Sequence, residues 1–172
     1  MEYEKIETCP ICHSKSRDIY YKATRHGNGD IDRSVYACTS SGYGRYPDIV
    51  QCRDCQLIYL SLRPPAKSLE DIYAQVEDNI YLQEEAGRTK TFGRAIKDLN
   101  KYCPARGRLF EFGSYTGVYL EIAQREGWEA MGVELSKWAR TIALEKRGFH
   151  LLGAMEEVET YGKGSFDAVV MW

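Results

Sequence analysis

No apolar run in this 172-residue chain approaches the roughly 20 residues that a membrane-spanning helix needs. A surplus of positive charge is also missing: 23 Lys and Arg stand against 25 Asp and Glu, a formal net charge of −2. The chain therefore lacks the basic footprint of a protein that neutralises a phosphate backbone, and nucleic acid is not the expected partner. Internal repeats and low-complexity segments are absent. The first residues, Met1-Glu2-Tyr3-Glu4-Lys5-Ile6-Glu7, are acidic and contain no apolar stretch of signal-peptide type, so the expected location is the reducing cytoplasm. In that compartment six cysteines read as metal ligands or free thiols rather than disulfides. What is present, 44% hydrophobic and 28% charged residues, fits a soluble globular protein of one domain or a small module joined to a compact one.

The chain changes character near Leu60-Ser61-Leu62-Arg63-Pro64-Pro65. Before it, Gly27-Asn28-Gly29-Asp30 and Ser41-Gly42-Tyr43-Gly44 read as turns of a small β-rich module. After it, a short helix is expected from Ala66 to about Gln75. A clearer helix places Phe92, Ala95, Ile96, Leu99 and Tyr102 on one face and ends at Pro104. Beyond Gly107, strands and helices alternate as in a parallel sheet with crossover helices. The expected strands are 109–112, 129–134, 149–152 and 166–172. Between them lie a helix over 117–126, a helix capped by Ser136 and stopped by Gly148, and a helical turn over 154–158.

Cys9-Pro10-Ile11-Cys12 and Cys52-Arg53-Asp54-Cys55 each set two thiolates on a tight turn, the way two knuckles supply the corners of a tetrahedral zinc site. Residues 13–51 separate them, a longer gap than a zinc ribbon usually has. His13 and Gln56 stand where a glycine commonly relieves a positive φ. Four reduced thiols in a small core and a rubredoxin-like iron site are the competing readings. A site closed by four thiolates has no open position, so zinc there would be structural. Cys38 and Cys103 lack a near partner, and His26 and His150 form no constellation.

In Leu109-Phe110-Glu111-Phe112-Gly113-Ser114-Tyr115-Thr116-Gly117 a strand runs into a glycine turn and then a helix, the context of a nucleotide-cofactor site. Glu134 follows Gly113 by about 20 residues, the spacing at which an acid reaches ribose hydroxyls. A dinucleotide fingerprint fails at Tyr115 and Val118, and Glu111 would repel a pyrophosphate. The same carboxylate suits S-adenosylmethionine, which carries an ammonium group and a sulfonium. The competing reading is a glycine turn that serves only packing, with Glu134 solvated.

These residues resemble the class I S-adenosylmethionine-dependent methyltransferases, and more closely the bacterial type with an N-terminal zinc-binding region. The resemblance rests on the two cysteine pairs, Gln56-Leu57-Ile58-Tyr59-Leu60 with Arg63-Pro64, Glu111 to Gly117, Gly132-Val133-Glu134-Leu135-Ser136 and Ser165-Phe166-Asp167-Ala168-Val169-Val170. It implies an α/β fold: the N-terminal half of a doubly wound, Rossmann-like methyltransferase sheet behind a zinc-ribbon-like module. The expected division is 1–62 for the module, 63–106 for a helical linker and 107–172 for the partial cofactor-binding domain. It also implies that Gly113, Ser114, Tyr115, Thr116 and Gly117 border the methionine moiety while Glu111 holds its ammonium group. Glu134 then takes the ribose hydroxyls, Leu135 lies against adenine, and Ala154 and Met155 belong to the adenine-side loop. Ala154 stands where an acidic residue often occurs, and Tyr115 replaces a glycine, so its ring must swing away or act as a lid.

The family continues beyond its fourth strand, so a chain ending at Trp172 reads as truncated and inactive alone, with the catalytic residues unassigned. The exposed fourth strand is then expected to favour self-association. The implied activity is methyl transfer to a small-molecule, sugar or lipid acceptor. The alternatives are a zinc-stabilised binding module without catalysis and an RNA methyltransferase.

Overall fold

The computed structural model describes residues 3–24, 36–40 and 46–172. The turn clusters at Gly27–Asp30 and Ser41–Gly44 lie outside them. The chain forms two compact units, one of Met1–Tyr36 with Ser40–Ile72 and the other of Ala37–Thr39 with Tyr73–Trp172. It is a mixed α/β protein, and no helix among the described residues is long and apolar enough to cross a membrane.

The first unit is built from short strands. β2 (Arg17–Tyr21), β3 (Ile49–Cys52) and β4 (Ile58–Leu60) form an antiparallel sheet with β3 in the centre, and β1 (Glu4–Lys5) pairs with β5 (Leu62–Arg63). Val50 fills the middle of the central strand and is buried. Cys52 ends that strand opposite Arg17, so the second cysteine turn grows directly out of the sheet. After Pro64 and Pro65, which cannot extend a ladder, α1 (Ala66–Tyr73) begins.

In the second unit α2 (Asn79–Gln83) and α3 (Glu85–Tyr102) precede a parallel sheet of order β7-β6-β8, with β6 (Arg108–Phe112) between β7 (Glu129–Val133) and β8 (Ala168–Met171). α4 (Val118–Arg125), α5 (Lys137–Arg147) and the short α6 (Met155–Val158) lie in the connections. The core joins Ile96 of α3, Leu109 of β6, Val118, Tyr119 and Leu120 of α4, Ala143 of α5 and Ala168 of β8, all buried. The Trp128 indole N–H donates to Asn100 Oδ1 at 2.9 Å, which ties α3 to the start of β7.

α5 follows local sequence signals. The Ser136 side chain accepts from the Ala139 amide, and Gly148 ends the helix in the left-handed region at φ 74°. Two expectations are corrected. Tyr102 does not share the apolar face of α3: it is 85% exposed, and Cys103 packs against the core in its place. Ten residues beyond Phe92 is about 80° off the stripe at 3.6 residues per turn, whereas eleven returns to it. The strand expected over 149–152 is reduced to a single parallel bridge, Val133 to Leu152. Its neighbouring amides are engaged elsewhere: Phe149 N–H donates to Ala143 O at 3.2 Å and Gly153 N–H to Glu157 Oε1 at 2.8 Å.

On the side of β8 away from β6, no strand pairs among the described residues. Val169 and Met171 are exposed on the face of the strand opposite the core-facing Ala168, and Trp172 is exposed beyond its end.

Candidate cofactor and metal sites

The two cysteine knuckles are local copies of each other. Cys9 N–H donates to Ser14 O at 2.8 Å and His13 N–H to Cys9 O at 2.9 Å; Cys52 N–H donates to Leu57 O at 2.9 Å and Gln56 N–H to Cys52 O at 3.0 Å. His13 and Gln56 close the turns at φ 60° and 64°, so both take the left-handed conformation despite having side chains. The turns bring Cys9, Cys12, Cys52 and Cys55 into one cluster whose sulfurs all lie within 4.8 Å of one another.

The close approaches run between knuckles, Cys9 to Cys55 and Cys12 to Cys52, each at 3.5 Å. That is far longer than a disulfide's roughly 2.05 Å and close to the about 3.8 Å sulfur–sulfur edge of a tetrahedron with 2.3 Å metal–sulfur bonds. The thiols also polarise one another. Burial opposes ionisation of Cys9, yet the Cys12 and Ile11 amides outweigh it and bring its thiol down to about 7. Against its bond from the Ser14 amide, burial and the other three sulfurs push Cys12 up to about 12. Ionising all four thiols in this space calls for a cation among them.

In the second unit the turn after β6 is clamped onto the end of β7. Gly113 N–H and Ser114 N–H both donate to Val133 O, at 2.9 and 3.0 Å, and Gly117 N–H closes the turn on Ser114 O at 2.8 Å. Gly113 and Gly117 sit at φ 69° and 77°, with Tyr115 between them at φ 48°. The crossing works because Gly132 has no side chain: a Cβ there would lie 1.9 Å from Ser114 Oγ and 2.7 Å from Glu111 O. A Cβ on Gly113 would meet nothing within 4 Å, so the backbone at that point faces open space.

Two carboxylates flank this turn. Glu111 is 2% exposed and its Oε2 is buried with no hydrogen-bond partner. Burial, with a smaller contribution from Glu134, pushes its carboxyl up to about 8 against a bond from Ser114. Glu134 is also buried, but both its oxygens are held: Oε2 accepts from Tyr115 N–H at 2.9 Å and Oε1 from Ser136 N–H at 2.7 Å. Burial raises the Glu134 carboxyl, and the Ser136, Tyr115 and Leu135 amides oppose the rise. Thr116 is fully buried with its hydroxyl unpartnered.

Leu135 follows Glu134, and its carbonyl accepts from Arg140 Nη1 at 2.9 Å. Ala154 and Met155 come just after the Val133–Leu152 bridge, with Ala154 extended at the start of α6 and Met155 half-exposed. The structure thus brings Glu111, the 113–117 turn and Glu134 together at the carboxyl ends of β6 and β7, with Leu135, Ala154 and Met155 bordering that end.

Sequence reasoning missed the residues around Tyr115. Its ring packs edge-on against Tyr81 at 4.5 Å and tilted against Trp138 at 5.9 Å. Asp78 fixes the approach of α2, accepting from Tyr81 N–H at 3.1 Å and from Thr39 N–H at 3.0 Å. Asp78 followed by a helix start was a readable capping signal. The pairing of Tyr81 with Tyr115 had none.

A family model described as a methyltransferase domain matches residues 81–172. The match covers β6, β7, β8 and the glycine turn, and it begins at Tyr81. The chain belongs to this family of class I methyltransferases. A search of curated proteins gave no match.

Proposed function

We propose that the second unit binds S-adenosylmethionine and transfers its methyl group to a small-molecule, sugar or lipid acceptor, while one structural zinc ion holds the cysteine knuckles of the first unit. The parallel β7-β6-β8 sheet is read as part of a Rossmann-like, doubly wound sheet, and the knuckle unit as zinc-ribbon-like. The observation that carries the cofactor assignment is the buried, unpartnered Glu111 Oε2 beside an open glycine turn. A carboxylate so placed destabilises the fold unless a cation meets it, and the ammonium group of the cofactor's methionine moiety is such a cation.

Other features fit the same ligand. Each Glu134 oxygen carries one backbone amide and keeps capacity for a further donor, as ribose hydroxyls require. The bare Gly113 backbone permits close approach. A pyrophosphate fits poorly, since Glu111 would repel it on ionising.

When bound, S-adenosylmethionine supplies an electrophilic methyl on a sulfonium sulfur. The residues of this chain bind and orient it: Glu111 fixes the amino end, Glu134 the ribose, and the 113–117 turn sets the distance between them. Methyl transfer needs positioning and exclusion of water more than a protein nucleophile, and no residue here is assigned as a catalytic base. The four thiolates would hold zinc through Cys9, Cys12, Cys52 and Cys55, closed to substrate.

Calorimetric titration with S-adenosylhomocysteine and with NAD tests the reading. Binding of the first and not the second is expected. Equal affinities, or no binding of S-adenosylhomocysteine, would refute it.

A further inference from the structure

An open cavity of about 500 Å³ lies along one face of the N-terminal half of α3, lined by Glu84, Gly87, Arg88, Thr91 and Phe92. Its volume is in the range of small-molecule sites. Both ends of its lining lead to the segment that carries the glycine turn. At one end the Arg88 guanidinium lies 3.9 Å above the Tyr81 ring, and Tyr81 packs on Tyr115 within the turn. At the other end Phe92 packs on Tyr119, in the first turn of α4, at 5.5 Å, and on Trp172, just past β8, also at 5.5 Å. Trp172 stands at the carboxyl end of the parallel strands, the end at which open sheets bind their ligands.

Arg88 and Arg147 differ in how they are satisfied. Arg147 is 3% exposed and fully engaged, with Glu85 and Glu121 as ion partners and Thr116 O as a further acceptor. Arg88 is three-quarters buried yet has one ion partner among the described residues, Glu84, at 2.9 Å on Nη2. Its Nε is buried with no acceptor. Glu84 is 57% exposed and one turn away, at the N-cap of α3, so the pair is weak and exchangeable. A guanidinium that lies over an aromatic ring and holds a single, exposed carboxylate partner is suited to exchange that partner for the carboxylate or phosphate of a ligand.

We propose that this cavity is the acceptor subsite, and that Arg88 selects acceptors in which a carboxylate or phosphate group is attached to a flat apolar part that packs on Phe92. The assignment as an acceptor subsite rests on the methyl-transfer reading. The anion-binding property stands on the cavity itself.

The test is an amide-shift NMR titration of the full chain with benzoate and phenyl phosphate, beside neutral benzamide, with S-adenosylhomocysteine titrated separately. The anionic probes should shift amides of residues 84–92, and benzamide should bind at least about tenfold more weakly, the cost of losing a charge-assisted bond. Arg88→Met should weaken both anions by a similar factor and leave S-adenosylhomocysteine affinity unchanged. Glu84→Gln removes the competing carboxylate and should tighten them, which gives a second readout should Arg88→Met fold poorly.

Benzamide binding as tightly as benzoate, shifts confined to other segments, or anion affinity unchanged in Glu84→Gln would each overturn the proposal. Loss of S-adenosylhomocysteine binding with anion binding intact would refute the cofactor reading and, with it, the acceptor role of the cavity. A preference for benzoate over phenyl phosphate, or the reverse, identifies which anion the acceptor carries.

Discussion

The backbone amide of Tyr115 donates to Glu134 Oε2 at 2.9 Å, so the residue at the left-handed apex of the glycine turn is pinned by the acid at the end of the next strand. Glu134 therefore holds the turn in shape, and in the proposed reading its remaining lone pairs accept from the ligand.

Replacing Glu134 with Ala removes both functions. The Tyr115 and Ser136 amides lose their acceptor, and S-adenosylhomocysteine binding should weaken by about 1.5–3 kcal/mol, the cost of hydrogen bonds to a charged group. Calorimetry on the variant checks the magnitude, and amide exchange at 113–117 should rise in the unliganded protein.

Glu111 makes stability depend on pH. Its folded carboxyl is raised to about 8 from an ordinary 4.5 by burial. Between those values the folded protein keeps a proton that the unfolded chain releases, so stability should fall as pH rises through that window and level off above it. The loss is on the order of a few kcal/mol at most. Urea unfolding at pH 5 and pH 8 should show the decline, and Glu111→Gln should flatten it. Ligand binding at neutral pH should release a proton from this carboxyl, visible as a buffer-dependent binding enthalpy.

The cysteine cluster predicts close to one zinc per chain by elemental analysis. Cys52→Ser should abolish it, unfolding the knuckles, while circular dichroism from α3, α4 and α5 persists. An ordered knuckle unit without metal would contradict this.

No strand pairs with the outer edge of β8 among the described residues, and Val169 and Met171 are exposed on one face of that strand. The isolated 172-residue chain is predicted to self-associate through this edge, and Met171→Lys should return it to monomer in light scattering. A wild-type monomer with strongly protected amides at 168–171 would contradict the prediction.

What the sequence made legible were features set within a few residues. Ser136 and Gly148 bound α5 because cap and stop act locally, and the left-handed turns at Gly113 and Gly117 are announced by glycine. The spacing of Cys9, Cys12, Cys52 and Cys55 was legible because each turn geometry is local and only their meeting is not. The third strand was misjudged because the number of its ladder bonds depends on competing acceptors, Ala143 O and Glu157 Oε1, that periodicity does not reveal. Tyr102 was misplaced by extending a stripe one residue short of its return. The isolation of Glu111 Oε2, the packing of Tyr81 on Tyr115 and the under-satisfied Arg88 arise from contacts between distant segments, to which composition and spacing are blind.

The most direct test is a crystal structure of the chain with S-adenosylhomocysteine. The account predicts the ligand's ammonium nitrogen within about 3 Å of Glu111 Oε2 and its ribose hydroxyls on Glu134, with the 113–117 turn against the methionine moiety. A ligand bound elsewhere, or one bound here with Glu111 Oε2 still unpartnered, would contradict it.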